Sequence, residues 1–208
     1  MANAESAELR SDAARNRDAL LAAATRTFAA SDTEPSMRAV AREAGVGIAT
    51  LYRHFPTRES LVDAVYRDQV QRLTQGADTL LRQVPPIEAL RAWMDLFGTW
   101  LSTKHGMIDT LRTMIDAGEI PHTETRDELL AAIARILETG SATGDLRPDI
   151  TAEDIAAAII GTFTVTNGRK DQTARLLDLL VDGLRPRIPP TTPEPYPRTD
   201  SNATDAPQ

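Results

Sequence analysis

The chain contains no cysteine. Disulfides, thiolate metal sites and cysteine nucleophiles are therefore excluded, and a reducing compartment, the cytoplasm, is the default expectation. No apolar run approaches the roughly 20 residues needed to span a bilayer. The opening stretch MANAESAELRSDAARNRDALL holds no apolar core of the kind a secretory leader needs, so neither membrane insertion nor export is expected. Histidine is scarce. His54, His105 and His122 are the only three, and no two share metal-ligand spacing on a helix. The sequence also lacks a phosphate-cradling glycine loop, a G-x-S-x-G, an H-E-x-x-H and any internal repeat. With no nucleophile or acid/base constellation, an enzyme is not expected, and no cofactor or metal is implied.

Aromatic residues make up only 4% of the chain, whereas Ala, Leu and Arg are plentiful, which favours helix over strand. Helical periodicity runs almost throughout, and no alternating strand pattern of useful length is present. The 208 residues predict an all-α fold of nine helices, at about 12–30, 36–43, 47–55, 57–83, 86–102, 104–116, 123–142, 151–167 and 171–185. Ser36 and Thr57 are placed as N-caps, Thr151 and Asp154 have capping-box spacing, and Gly45 suits a helix end. The reading divides the chain into a loose tail over 1–11, a front domain over 12–73, a body over 74–185 and a tail over 186–208. That last stretch holds seven prolines in 23 residues and is expected to be disordered.

Charge is distributed unevenly. The net charge of -7 argues against a nucleic-acid partner taken globally. Between Arg10 and Arg58, however, eight arginines face five acids, a local net of +3 that leaves -10 for the remainder. A basic front on an acidic body suits a protein that touches phosphate with one part only.

The stretch GVGIATLYRHFPTRESL, Gly45 to Leu61, lies within that front. A helix of eight or nine residues is marginal alone and must be held by tertiary contacts. On a wheel at about 100° per residue, Leu51 and Phe55 share an inward face. Ala49 and Arg53 lie opposite, Thr50 and Tyr52 flank them, and His54 falls nearer the core. The preceding short helix joins it through Ala44-Gly45-Val46. Two short helices across a three-residue turn with glycine match a helix-turn-helix, at about 35–54. A major groove about 12 Å wide admits one such helix, and hydroxyls and cations on its outer face suit base edges and phosphates.

The segment RAVAREAGVGIATLYRHFPTRESLVDAVY, 38–66, resembles the DNA-binding segment of the tetracycline-repressor-like (TetR) family of bacterial transcriptional regulators. The likeness is strong over roughly 15–75 and only architectural beyond. It implies that Ser36 and Arg38 contact double-stranded operator DNA from the start of the second helix. Thr50, Tyr52 and His54 would hold phosphates or base edges, with Gly47, Ile48 and Ala49 at the approaching end. Arg53 would read sequence, and Arg58 would reach the backbone from the start of the fourth helix. Gly47 stands where the family often has serine, and Ile48 where lysine or glutamine is common, which leaves Ile48 free to touch a thymine methyl.

In the body, Trp93, Met94, Phe97, Trp100, Met107, Leu111 and Met114 suggest an adaptable apolar cavity for an unidentified small-molecule effector, with plain core packing as the alternative. The last two helices carry wide apolar faces, Ala156, Ile159, Ile160 and Phe163 meeting Leu176, Leu179 and Leu180, which suits an isologous homodimer. The resemblance implies a ligand-responsive regulator, a repressor released by its effector through a shift of two DNA heads. A small-molecule sensor or carrier with weak or lost DNA binding is the second reading, motivated by the net charge.

Overall fold

A computed structural model describes residues 2–31, 33–120 and 122–186, with side chains from residue 16 onward except at 122 and 123. Nine helices and no strand occur among the described residues. They are α1 (Ala2–Ala29), α2 (Met37–Glu43), α3 (Ile48–His54), α4 (Arg58–Leu81), α5 (Pro86–His105), α6 (Ile108–Asp116), α7 (His122–Thr143), α8 (Ala152–Thr166) and α9 (Lys170–Gly183). The all-α expectation holds. Of the expected tails, the second lies from residue 187 onward outside the described residues. In place of the first, α1 begins at Ala2, not near residue 12. The run ANAESAELRS is rich in Ala and Glu, and those are among the better helix formers.

The helix ends follow local chemistry. Ser36 caps α2 by accepting from the Ala39 amide at 3.2 Å. The α2 end is a Schellman arrangement. Gly45 sits at φ +70°, the Val46 amide donates to the Ala41 carbonyl at 3.0 Å, and the Gly45 amide to Arg42 at 3.1 Å. Thr57 and Ser60 form a reciprocal box at the start of α4, each side-chain oxygen accepting from the other's amide at 3.1 Å. Thr151 and Asp154 do the same for α8, and the Thr151 backbone N–H holds the Asp154 carboxyl below the usual carboxylate range.

α4 spans 24 residues, about 36 Å at 1.5 Å per residue. It packs against α1, α5, α6 and α7. As expected, α4 runs unbroken through residue 73, and one contiguous core joins the parts on either side. Leu20, Ala24, Phe28, Val40, Leu51, Phe55, Leu61 and Val65 are its head portion, all buried. α5 continues to His105, three residues past its expected end, and stops at Gly106. A Cβ there would lie 2.0 Å from the Phe28 carbonyl oxygen, so the end of α5 is pressed directly on the end of α1.

Candidate nucleic-acid interface

α3 is held from beneath. Leu51 and Phe55 are buried, and Ile48 is partly buried against the same core. Gly47 occupies the N-cap position and offers no side-chain cap, so only the Gly47 carbonyl, accepting from Thr50 at 2.9 Å, closes the first turn. The outer face is Ala49, Tyr52 and Arg53, all exposed, with Tyr52 at 46%, which is unusual for a large aromatic residue. Thr50 and His54 are half-buried at its edges. This matches the wheel drawn from sequence.

α2 sets a second row beside it. Ser36 and Arg38 are exposed, although the Ser36 oxygen is already the α2 cap. Arg42, one turn beyond Arg38, is also exposed. Sequence reading passed over it, and the i,i+4 spacing from Arg38 was the signal that could have found it. Arg38, Arg42 and Arg53 pair with no carboxylate among the described residues. Three uncompensated guanidinium groups on one small unit make a local positive face despite the acidic total.

Arg58 is placed differently from expectation. Its guanidinium turns inward, forming an ion pair with Glu34 at 3.3 Å and donating to the Pro35 carbonyl. It is therefore committed inside the head and is not presented to a phosphate. Glu34 is itself shared. Its carboxylate accepts from the Thr110 amide at 2.8 Å and from the Thr110 hydroxyl at 2.9 Å. Thr110 lies in the first turn of α6, whose N-cap residue, Met107, has no side-chain cap. Glu34 thus supplies from 76 residues away the capping oxygen that α6 lacks locally, and its negative charge suits a helix N-terminus.

In the body, the seven residues expected to line a cavity are all buried and packed. Phe97 stands between Trp93 and Trp100, with ring centroids 5.7 and 5.1 Å away, and Phe163 of α8 lies 6.5 Å from it. Trp93 donates its Nε1–H to the Leu73 carbonyl at 2.9 Å, which ties α5 to α4. A cleft of about 260 Å³ lies elsewhere, between α1, α4 and α5, lined by Thr25, Gln69, Leu73 and Leu96 among others. None of the seven borders it.

On α8 and α9 the expected interface residues divide. Ile159 is fully buried within the chain, on the same inward stripe as Ile155, and offers no surface to a second copy. Ile160, one residue and about 100° further round, is 49% exposed, and Leu179 is 68% exposed. Ala156, Phe163, Leu176 and Leu180 are partly buried around them. Val165, also 68% exposed but about 140° round α8 from Ile160, was not anticipated.

Residues 20–65 match the model of bacterial regulatory proteins of the TetR family, and residues 85–186 match that of the C-terminal domain of SbtR-like transcriptional regulators. The chain is 29% identical over 166 residues to the HTH-type transcriptional repressor KstR2 of Mycolicibacterium smegmatis, covering 75% of this chain and 80% of that one. Among solved structures, a TetR transcriptional regulator from Streptomyces coelicolor is 41% identical, with a TM-score of 0.75 over 83% of this chain and 99% of its own. A TetR regulatory protein from Mycobacterium vanbaalenii is 34% identical, with a TM-score of 0.67 over 86% and 99%. The head built on α1 to α4, the α3 outer face and these similarities agree: the chain belongs to the TetR family of bacterial transcriptional regulators.

Proposed function

We propose that this regulator is a repressor that binds a pseudo-palindromic operator as a homodimer and is released by a small-molecule effector held in its helical body. The observation that carries the DNA side is the α3 face. Ala49, Tyr52 and Arg53 are exposed beside the unpaired Arg38 and Arg42, while Leu51 and Phe55 anchor the helix from below. A small residue at Ala49 lets the helix approach the groove floor, and Arg53 reaches beyond it toward a guanine edge. Thr50, Tyr52 and His54 supply hydrogen-bonding groups for phosphates, which set register. Unbiased selection of binding sites from random DNA, followed by affinity measurement on the selected site, tests this. Arg53→Ala is expected to cost about 1–3 kcal/mol on the selected site and much less on random DNA. Equal losses on both would make Arg53 a backbone contact only. Affinity that does not fall with salt would instead favour a sensor without DNA binding.

Support for the homodimer is the exposure of three large apolar side chains, Ile160, Val165 and Leu179, on α8 and α9. Large apolar side chains this exposed on two adjacent helices suit a self-complementary contact. Sedimentation is expected to give a dimer at micromolar concentration. Leu179→Glu is expected to weaken association by about tenfold or more, because it sets like charges against each other across a two-fold axis. A monomeric parent chain would remove the two-headed reading. No helix among the described residues is long and apolar enough to cross a membrane.

A further inference from the structure

One polar group of the body lacks the partner its chemistry asks for. The Trp100 Nε1–H is buried and has no hydrogen-bond partner among the described residues. The Trp93 indole a few residues earlier shows the usual solution, donation to a backbone carbonyl. One turn beyond Trp100, Lys104 lays its ammonium over the Trp100 ring, 5.1 Å from the centroid. Lys104 is partly buried, and no carboxylate among the described residues pairs with it. Burial pushes its pKa below the ordinary lysine value. A buried indole N–H without an acceptor is destabilising, whereas the partly buried Lys104 ammonium loses only part of its hydration. The C-terminal dipole of α5 favours a lysine in the last turn, and the indole face attracts the cation. Neither supplies an acceptor to the indole N–H.

An oxygen acceptor would satisfy the Trp100 N–H, and the neighbouring ammonium, which has no carboxylate partner among the described residues, favours an anionic one. The surroundings are apolar. Phe97 lies against Trp100, Met107 is buried nearby in sequence, and Phe163 crosses from α8 onto Gly98, where a Cβ would sit 2.4 Å from the ring. α8 therefore reaches this part of α5 through a side chain, which a ligand can displace at less cost than a backbone.

We propose that Trp100 and Lys104 form the head-group site of the effector, and that the effector is an apolar molecule bearing a carboxylate. Its oxygen is taken by the Lys104 ammonium and the Trp100 N–H, and its apolar part lies along Phe97 and Phe163. This rests on the reading of the helical body as an effector-binding unit. It names the ligand's chemistry, which that reading leaves open. Lys104 stands two residues before Gly106, the point where α5 is pressed on α1, so an anion here sits beside the joint between body and head.

The test compares two probes of equal chain length, octanoate and 1-octanol, by calorimetry on the full chain. Octanoate is expected to bind the parent protein about tenfold or more tightly than octanol. Lys104→Met keeps the apolar stem and is expected to abolish that preference. Trp100→Phe keeps the ring and is expected to weaken octanoate several-fold while leaving octanol unchanged. Without ligand, Lys104→Met is expected to raise the melting temperature, since it removes an unpaired, partly desolvated charge. Equal affinity for the two probes, a preference that survives in Lys104→Met, no octanoate binding at about 5 mM, or a fall in melting temperature in Lys104→Met would each overturn the proposal. DNA binding by the same preparations is measured separately. If the protein binds its selected operator but shows no carboxylate preference, the head-group site alone fails. If it shows the preference but binds no DNA, the regulatory reading fails and the site stands.

Discussion

Gly106→Ala is expected to be the most damaging single-methyl change in the chain. The added Cβ would meet the Phe28 carbonyl oxygen at 2.0 Å, its carbon at 2.7 Å and its Cα at 3.0 Å. All three are backbone atoms, so no side-chain rotation relieves the overlap. Either α5 withdraws or the end of α1 moves, and Phe28 is a buried part of the head core. Overpacking of this kind costs about 3 kcal/mol at the upper end of its usual range. For a chain of this size that corresponds to a fall of about 6–12 °C in melting temperature. Gly183→Ala is the control, since nothing lies within 4 Å of its Cβ and it ends α9 at the surface. It is expected to leave the melting temperature within about 2 °C of the parent value. A Gly106→Ala protein that melts with the parent would show that α5 and α1 do not meet in solution as described.

Glu34→Ala is expected to follow it in magnitude. Removing the carboxylate deprives the Thr110 amide and hydroxyl of their acceptor and takes from Arg58 its ion-pair partner. The two charged side chains keep 16% and 26% of their exposure, so water compensates part of the loss. A cost of about 2–3 kcal/mol is expected, below that of breaking a fully buried pair. Glu34→Gln keeps one acceptor and loses the charge, and should fall between the parent and Glu34→Ala. Hydrogen exchange supplies the specific readout. The Thr110 amide should exchange faster in both variants, whereas amides in the middle of α7 should change only as far as global stability does. Parent-like exchange at Thr110 in Glu34→Ala would mean that α6 is not capped from the head.

These two contacts were the least legible features of the sequence. Gly106 reads as an ordinary helix end, and only the tertiary arrangement shows what stands against it. Glu34 reads as a surface acid in a loop beside Pro35. Its role depends on an N-terminus 76 residues away that has methionine where a capping oxygen is usual. Arg58 illustrates the same limit. At the start of α4 an arginine is well placed for phosphate, and nothing local reveals that Glu34 and Pro35 already hold it. Ile159 and Ile160 are adjacent and chemically identical, so composition could not separate core from surface. The absolute rotation of α8 against its neighbours decided it.

What the sequence determined by itself was whatever depends on near neighbours along the chain. The helix count, the caps at Ser36, Thr57 and Thr151, the glycine turn at Gly45 and the outward set of Ala49, Tyr52 and Arg53 all follow from a 3.6-residue period and from side chains that bond within four residues. What only the tertiary structure decided was how distant elements meet: the head capping the body through Glu34, α5 stopping against Phe28, and an unpartnered Trp100 under a lysine. The physical reason is range. Periodicity and capping act over one or two turns, whereas burial and the satisfaction of polar groups are settled among residues that the chain brings together only by folding.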